Sequence, residues 1–238
     1  MEKTLGIVLH TIKYSDTSVI TKIYTRVFGL RSFIVKGIRS KKSKKLGLLQ
    51  PFTILEMDVK FTQKSDLGWI KEFNLSFPTH SISTDVIKSS LVFFLAEVLS
   101  HTIEQNYQNE DLFDFIREAI IKLEQGNQLA NFHLWFLLEL SRHYGFYPQN
   151  QVNKFDFYFN LVTGVFTNNI SSNQQSLSKE TSLALQLFLG TVFDDAIIIR
   201  LNSKIREELL NALVIYFHIH IEGMKKLKSQ EILNTIFS

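Results

Sequence analysis

The hydrophobic pattern of this chain changes its period at Pro78, and that change limits the folds open to it. Before Pro78, five short runs are rich in β-branched and aromatic residues, and turn signals such as Ser15-Asp16 and Phe28-Gly29 separate them. The runs cover residues 6–14, 19–25, 31–36, 52–61 and 68–77. Because no helical pattern lies between them, they predict a small closed barrel, and a five-stranded barrel of this size is most often an OB-fold.

After Pro78 the apolar residues follow a helical spacing. Thr84-Asp85 resembles a helix N-cap, and Gly126 and Gly145 follow two later segments as helix stops. We predict helices at residues 86–105, 110–125, 128–144, 178–193, 204–222 and 229–237, and a β-hairpin at 155–159 and 162–166. The predicted class is α+β. We expect an OB-fold nucleic-acid-binding domain at residues 1–79 and a mostly α-helical domain at 80–238, with the hairpin insertion at about 150–170.

Residues 36–45, called the basic segment below, carry six cations and no acidic residue. The cations are Lys36, Arg39, Lys41, Lys42, Lys44 and Lys45. Burying unpaired ammonium groups is costly, so this segment is expected to project from the folded body and to offer positive charge to an anionic partner. The alternative is a solvated, lysine-rich loop that only keeps the protein soluble.

The charge is unevenly distributed along the chain. Residues 1–80 hold fourteen Lys and Arg against six Asp and Glu, a net of +8, whereas residues 81–238 hold twelve against seventeen, a net of −5. Such asymmetry suggests that the N-terminal part meets a polyanion. OB-folds commonly hold single-stranded nucleic acid in a basic groove with aromatic platforms. The predicted nucleic-acid contacts are Arg31, Lys36, Arg39, Lys41, Lys42, Lys44 and Lys45.

Aromatic side chains of the barrel region are the second candidate contacts. These are Tyr24, Phe28, Phe33, Phe61, Trp69 and Phe73. Alternate residues of a strand face the core, so about half of these rings should be internal. The others are available to stack on bases, and only the strand register decides which they are.

The chain lacks the motifs of the common catalytic sites, and we expect no enzyme, cofactor or metal centre. No phosphate-binding glycine loop and no Gly-x-Ser-x-Gly elbow occur, and the absence of cysteine excludes disulfides and thiolate zinc sites. Asp194-Asp195 is interpreted as a charge pair at a helix start. His218 and Glu222 share a helix face, but two ligands are too few for zinc.

The N-terminus has no apolar signal segment, and residues 91–99 and 212–221, the most apolar stretches, are too short to span a bilayer. These features predict a soluble, cytoplasmic protein without a membrane partner.

Several short motifs follow one another in a recognisable order. They are Gly6-Ile7-Val8-Leu9, Tyr14-Ser15-Asp16, Thr25-Arg26-Val27-Phe28-Gly29-Leu30, Lys36-Gly37-Ile38-Arg39, Lys42-Ser43 and Leu49-Gln50-Pro51-Phe52, and, near the C-terminus, His220-Ile221-Glu222-Gly223 and Leu227-Lys228-Ser229. Together they resemble the RecO family of recombination mediators, particularly its Bacteroidetes-like members, over nearly the whole chain.

The resemblance implies an N-terminal OB-fold, a helical middle and a role in RecF-type DNA repair. Members bind single- and double-stranded DNA, anneal complementary strands and, with RecR, help load the recombinase RecA onto strands coated by single-strand binding protein (SSB). Many members hold zinc with four cysteines after the third helix. The matching stretch here, residues 145–166, contains no cysteine, so we expect no zinc and apolar packing of phenylalanines instead.

The SSB tail, in the family picture, is acidic and ends in an apolar residue. Arg142, near Leu138, His143 and Tyr144, is the predicted contact for it, and Lys122 is expected to add charge from the preceding helix. The alternative is that Arg142 only caps its own helix C-terminus, where a cation is favoured.

Two other functions remain open from the sequence. One is an OB-fold RNA-binding or translation accessory protein, which would lack annealing activity and SSB-tail binding. The other is a helical adaptor whose basic segment only confers solubility, which would lack affinity for DNA at any salt concentration.

Overall fold

The structure is a computed structural model and describes residues 2–40, 45–62, 65–150, 157–168 and 175–237. By their contacts the residues divide into two compact units, 1–125 and 126–238. The domain boundary at residue 79 stays a prediction.

A closed five-stranded barrel forms the beginning of the first unit, which confirms the predicted fold class. Its strands are β1 (Glu2–Lys13), β2 (Val19–Thr25), β3 (Gly29–Val35), β4 (Ile54–Thr62) and β5 (Ser65–Phe77), in the order β1-β2-β3-β5-β4. All neighbouring strands are antiparallel except β3 and β5, which are parallel. The parallel pair closes the barrel where Phe33 lies beside Gly68. A Cβ at Gly68 would lie 2.8 Å from the ring of Phe33, so this close approach requires glycine.

Helices of the same unit cover part of the barrel. They are α1 (Ser81–Thr84), α2 (Val86–Thr102) and α3 (Glu110–Gln125), and a short 3-10 helix (Leu46–Leu49) precedes β4. Tyr24 on β2 packs against Phe113 of α3, and its hydroxyl donates a hydrogen bond to the carbonyl of Asn109 at 2.9 Å. Burial raises the pKa of Tyr24, helped by the nearby Tyr107. The N-cap predicted at Thr84-Asp85 is confirmed, since Asp85 accepts from the backbone N–H groups of Ile87 and Lys88.

The second unit is mainly helical and contains a two-stranded sheet. Its elements are α4 (Phe132–His143), β6 (Tyr158–Asn160), β7 (Val165–Thr167), α5 (Lys179–Phe188), α6 (Phe193–Ala196), α7 (Ser203–His220) and α8 (Gln230–Phe237). Asn131 at the start of α4 donates from its amide to the carbonyls of Ala196 and Ile199, which holds the segment after α6 in place. As predicted, Asp194-Asp195 lies in the first turn of a helix, α6.

Several predicted boundaries were wrong. The helix predicted at 178–193 ends at Phe188 because Gly190 adopts a left-handed conformation with φ of 75°. The helix predicted at 128–144 begins only at Phe132, and that predicted at 86–105 ends at Thr102 because Ile103 is extended. In the hairpin, β7 starts at Val165 rather than 162, while residues 155 and 156 lie outside the described residues.

Candidate nucleic-acid interface

Trp69 on β5 presents an exposed indole ring beside cations on the barrel surface. The ring is 42% exposed, and the ammonium of Lys36, the first residue after β3, lies 5.9 Å from its centre. Lys60 on β4 is the cross-strand partner of Trp69 and is also exposed. Directly opposed residues of an antiparallel pair project from the same face, so two cations flank the ring.

The other aromatic candidates of the barrel are less accessible. Tyr24 and Phe33 are fully buried and Phe73 is 5% exposed. Phe28 and Phe61 are half-buried and pack edge to face with ring centres 5.0 Å apart. Of the six aromatic residues considered from the sequence, Trp69 is therefore the most exposed.

Lys45, at the other end of the basic segment, also lies against β5. Its ammonium donates hydrogen bonds to the carbonyl of Phe73 at 2.9 Å and to Oδ1 of Asn74 at 3.4 Å, and it lies over the Phe73 ring. Both ends of the basic segment therefore meet the same strand, at Trp69 and at Phe73. Three of its predicted contacts, Lys41, Lys42 and Lys44, lie outside the described residues.

Arg31 and Arg39 are held by the barrel's turns. The Nε of Arg31 donates to the carbonyl of Phe28 at 3.2 Å, and its guanidinium stacks 5.0 Å from the centre of the Phe61 ring. Arg39 is exposed, and its Nη1 lies 3.4 Å from the carbonyl oxygen of Ser15 in the β1–β2 turn. Stacking and carbonyl contacts leave the positive charge of both side chains uncompensated by these partners.

Other cations of the barrel are turned toward the helices. Arg26 forms ion pairs with Glu110 at 3.1 Å and Asp114 at 3.0 Å, both on α3. Lys22 donates to the carbonyl of Ser100 on α2 at 2.8 Å. Arg26 and Lys22 thus form contacts within the first unit. Lys36, Arg39 and Lys60 are exposed and are better placed to meet a polyanion.

The two residues predicted to bind a partner fall in different units. Lys122 is half-buried on α3 in the first unit. Arg142 on α4 pairs with Glu139 at 3.2 Å, and its guanidinium lies 3.7 Å from the centre of the Tyr147 ring. Burial works against the charge of Arg142, but the hydrogen bond and charge of Glu139 outweigh it and raise the pKa of the guanidinium. Leu138 is buried and supplies no surface for a ligand.

The hairpin region packs through aromatic rings. Phe159 and Phe166 are buried with ring centres 5.2 Å apart, and Phe159 also meets Tyr216 of α7. The Tyr216 hydroxyl donates to the carbonyl of Phe146 at 2.7 Å, and burial raises its pKa to about 12. The expected packing of phenylalanines is confirmed for these described rings, and without thiolates the stretch does not fit a zinc ion.

No group of three or more His, Asp or Glu side chains able to hold a metal ion occurs in the described part of the chain. His218 donates from Nδ1 to the carbonyl of Val214, and His220 donates from Nε2 to that of Leu161. Glu222 lies beyond the end of α7, so the helix face predicted to join it to His218 is not formed. Within the described residues, no helix is both long and apolar enough to cross a bilayer.

Sequence reasoning missed Lys60, the cross-strand partner of Trp69 on β4, and Asn74 on β5, whose Oδ1 accepts a hydrogen bond from Lys45. Neither belongs to a charge cluster. The signal that places Lys60 beside Trp69 is the cross-strand register, which a single sequence does not display.

Comparison with known proteins agrees with this architecture. The sequence model described as "Recombination protein O N terminal" matches residues 1–78, and "Recombination protein O C terminal" matches residues 83–231. The chain is 39% identical over 240 residues to the DNA repair protein RecO of Flavobacterium psychrophilum, covering 99% of each chain. It is 35% identical to that of Christiangramia forsetii over 98% of each chain, and 32% identical to that of Phocaeicola vulgatus over 100% of each. The chain therefore belongs to the recombination protein O (RecO) family.

Proposed function

We propose that this protein is a non-enzymatic, DNA-binding recombination mediator in RecF-type DNA repair. It anneals single strands and helps to load the recombinase onto strands coated by SSB. The observation that carries the proposal is that both ends of the basic segment meet β5, Lys36 beside the exposed Trp69 and Lys45 at Phe73. The names of the relatives support the DNA repair role.

The mechanism follows from electrostatics. Two complementary strands repel each other through their phosphates, and a cationic surface that neutralises some of them releases counterions and lowers this repulsion. The cations of Lys36, Arg39 and the lysines at 41, 42, 44 and 45 would supply that surface. Trp69 would hold a base by stacking, which is worth about 1–3 kcal/mol and depends little on base identity. Pairing between the strands supplies the sequence specificity, so no catalytic group is needed.

Partner recruitment belongs to the helical parts of the chain. We propose RecR and the SSB tail as protein partners, with Arg142 and Lys122 as contacts for the acidic tail. The guanidinium of Arg142 lies over the ring of Tyr147 and donates to Glu139 through Nε and Nη2, which form one edge of the group. An additional carboxylate ligand is therefore compatible with this geometry. Action on chromosomal DNA would place the protein at the nucleoid in the cytoplasm.

The test combines binding and annealing. Affinities for one sequence as single-stranded DNA, duplex DNA and RNA are measured across salt concentrations, and annealing of complementary DNA strands is followed in parallel. We expect salt-dependent DNA binding, faster annealing with the protein, and weaker binding and annealing for Trp69→Ala. Tyr107→Ala is the matched control, since Tyr107 is also an exposed aromatic residue of the first unit, 59% exposed.

Preferential RNA binding without annealing would favour an RNA-binding accessory protein and overturn the proposal. Absence of DNA affinity at every salt concentration would favour the adaptor function.

A further inference from the structure

The second half of β5 has an edge with no partner strand. β3 pairs with β5 only from Leu67 to Trp69, and beyond Trp69 no strand within the described residues lies on this side of β5. The opposite side of β5 is fully engaged with β4. An edge of this kind is a ready template for another strand, because its N–H and C=O groups lack ladder partners.

Phe73 and Leu75 are the residues that turn their backbone groups toward this edge. The carbonyl of Phe73 accepts a hydrogen bond at 2.9 Å from the ammonium of Lys45, which lies outside the sheet. Alternate residues of a strand direct their backbone groups to the same side, so the N–H and C=O of Leu75 share this direction. In the described part of the chain, no backbone hydrogen bond reaches Leu75 from this edge.

An apolar groove of about 320 Å³ lies beside the same edge. Leu75 projects from the same face of β5 as the core residue Phe73, yet it is 41% exposed. Leu48 and Pro51 line the groove as well, and so does Phe93 of α2, which is 55% exposed. The residue opposite Leu75 on an added strand would point into this groove and would remove apolar surface from water.

The outer face of this part of β5 is acidic. Glu72 is exposed and directly opposed to Asp58 of β4, and the next pair outward on this face joins Asn74 to the exposed Glu56. Lys3 of β1 is opposed to Asp58 from the other side, so the excess of negative charge lies toward β5. Like charges directly opposite each other are unfavourable, and a cation opposite Glu72 on an added strand would relieve this repulsion.

We propose that β5 accepts an extended segment of a protein partner as an additional strand, with an apolar side chain in the groove and Lys or Arg on the outer face. Main-chain pairing supplies the affinity, and the alternating side chains supply the specificity. The ammonium of Lys45 occupies the position that a backbone N–H of the incoming strand takes at the Phe73 carbonyl, so Lys45 moves aside when the segment binds. The inference does not depend on the proposed function.

The probe is a short peptide of alternating leucine and lysine, capped at both ends and titrated into the full-length protein by calorimetry. N-methylation of its leucines removes the N–H donors of one peptide edge, and N-methylation of its lysines removes those of the other edge. Because an added strand pairs through one edge, one methylated peptide should lose binding and the other should keep it. Equal effects of the two methylations would overturn main-chain pairing.

Three variants test the side-chain contacts. Phe93→Ala removes one wall of the groove and should weaken peptide binding at least about fivefold. Glu72→Lys should also weaken it, because the outer face then repels the lysines. Lys45→Ala uncovers the Phe73 carbonyl and should strengthen binding about two- to tenfold, the equivalent of one hydrogen bond.

Each variant has a matched control that should bind the peptide as wild type does. Val86→Ala changes an exposed apolar residue of α2 that does not line the groove, and Asp16→Lys and Lys13→Ala change exposed charges at the β1–β2 turn. Thermal unfolding checks that every variant is folded.

The proposal fails if neither wild type nor Lys45→Ala binds the leucine–lysine peptide, or if Phe93→Ala binds it as tightly as wild type does. Equal affinity for a peptide with glutamate in place of lysine would overturn the assignment of a basic partner. Self-association of wild type that Phe93→Ala abolishes would give the edge to a second copy of this chain instead.

Discussion

Glu124 and Ser81 hold each other through a reciprocal pair of hydrogen bonds. The backbone N–H of Ser81 donates to the Glu124 carboxylate at 2.8 Å, and the Ser81 hydroxyl donates to the Glu124 carbonyl at 2.8 Å. The same carboxylate accepts from the N–H groups of His80 and Ile82, each at 2.9 Å. One side chain at the end of α3 thus satisfies three backbone donors where the chain leaves the barrel.

Replacing this carboxylate should destabilise the first unit in a pH-dependent way. Burial works against the charge of Glu124, but the backbone hydrogen bonds from Ser81, Ile82 and His80 outweigh it and lower the pKa. A lowered folded-state pKa means that the stabilisation is present above the ordinary value of 4.5 and is lost as pH falls through the folded value. We expect Glu124→Gln to cost about 1–2 kcal/mol at pH 7, as loss of a helix cap does.

Denaturant unfolding of wild type and Glu124→Gln at several pH values measures this effect. The difference between them should shrink as the pH falls below the ordinary value of 4.5. Glu118→Gln, at an exposed position on α3, is the control. A difference that stays constant from pH 7 to pH 3 would contradict the ionised-acceptor role.

Reversing the charge of four lysines in the basic segment should weaken DNA binding without unfolding the protein. The variant carries Glu at Lys41, Lys42, Lys44 and Lys45. Each lost phosphate contact should lower the log–log salt slope by about 0.7 for single strands.

The matched control for the basic segment reverses four exposed lysines of the second unit, which changes the net charge equally. They are Lys179, Lys204, Lys225 and Lys226. If both quadruple variants lose affinity equally, the effect is one of net charge. An unchanged slope and affinity in the first variant would remove the basic segment from the interface.

Arg142→Glu should abolish binding of an acidic peptide that ends in an apolar residue. The charge reversal removes the charge-assisted hydrogen bond from Arg142 to the peptide, which is worth about 1.5–3 kcal/mol. It also places a new carboxylate beside Glu139, which would repel the acidic peptide. Peptide titration by calorimetry measures it, and DNA binding should be preserved. Arg200→Glu, an exposed position of the same unit, controls for the charge change. Wild-type peptide affinity in Arg142→Glu would discard this residue as a contact.

Gly68→Ala should destabilise the barrel by about 1–3 kcal/mol, the usual cost of overpacking. The added methyl would lie 2.8 Å from the ring of Phe33, which is fully buried. Gly47→Ala is the control, because a Cβ there meets nothing within 4 Å. Equal melting temperatures for the two variants would show that the β3–β5 closure relaxes freely.

The aromatic hairpin should be stable without zinc. Metal analysis of the purified, untagged protein is expected to find no stoichiometric zinc, and a chelator should leave the melting temperature unchanged. Phe159→Ala should cost about 3–5 kcal/mol, since the ring is 1% exposed, whereas Phe157→Ala, 37% exposed, should cost much less. One zinc ion per chain would overturn this expectation.

The barrel could be predicted from the sequence because each strand is a compact apolar run between turn signals, and short connections account for the pairing of β1 with β2, β2 with β3 and β4 with β5. The closing pairs, β1 with β4 and β3 with β5, join strands that are distant along the chain. The exposure of Trp69 could not be predicted in this way. Strict alternation from the core residue Phe73 would place Lys71 and Trp69 inside. The register between β4 and β5 shifts after Asp58, opposite Lys71, so that Ile70 packs against the core and Trp69 turns outward. A bulge of this kind leaves no mark in a single sequence.

The helix ends were the weaker predictions, for a related reason. Asn131 precedes a clear apolar helical pattern, yet its Oδ1, the atom that could cap the helix, accepts a hydrogen bond from the Nε of Arg206 at 3.3 Å. Its amide nitrogen donates to the carbonyls of Ala196 and Ile199. Partners brought together only by the folded unit thus decide where α4 begins.

The barrel is built from two locally connected parts, and this arrangement affects how the connection between them can vary in sequence. The β1–β2–β3 meander and the β4–β5 hairpin are each local, and residues 36–53 join them. Loop-closure entropy grows only logarithmically, so doubling such a connection costs about 0.6 kcal/mol. The number of lysines in this connection is therefore expected to vary at little cost to folding. Affinity for a polyanion becomes adjustable almost independently of the barrel that carries it.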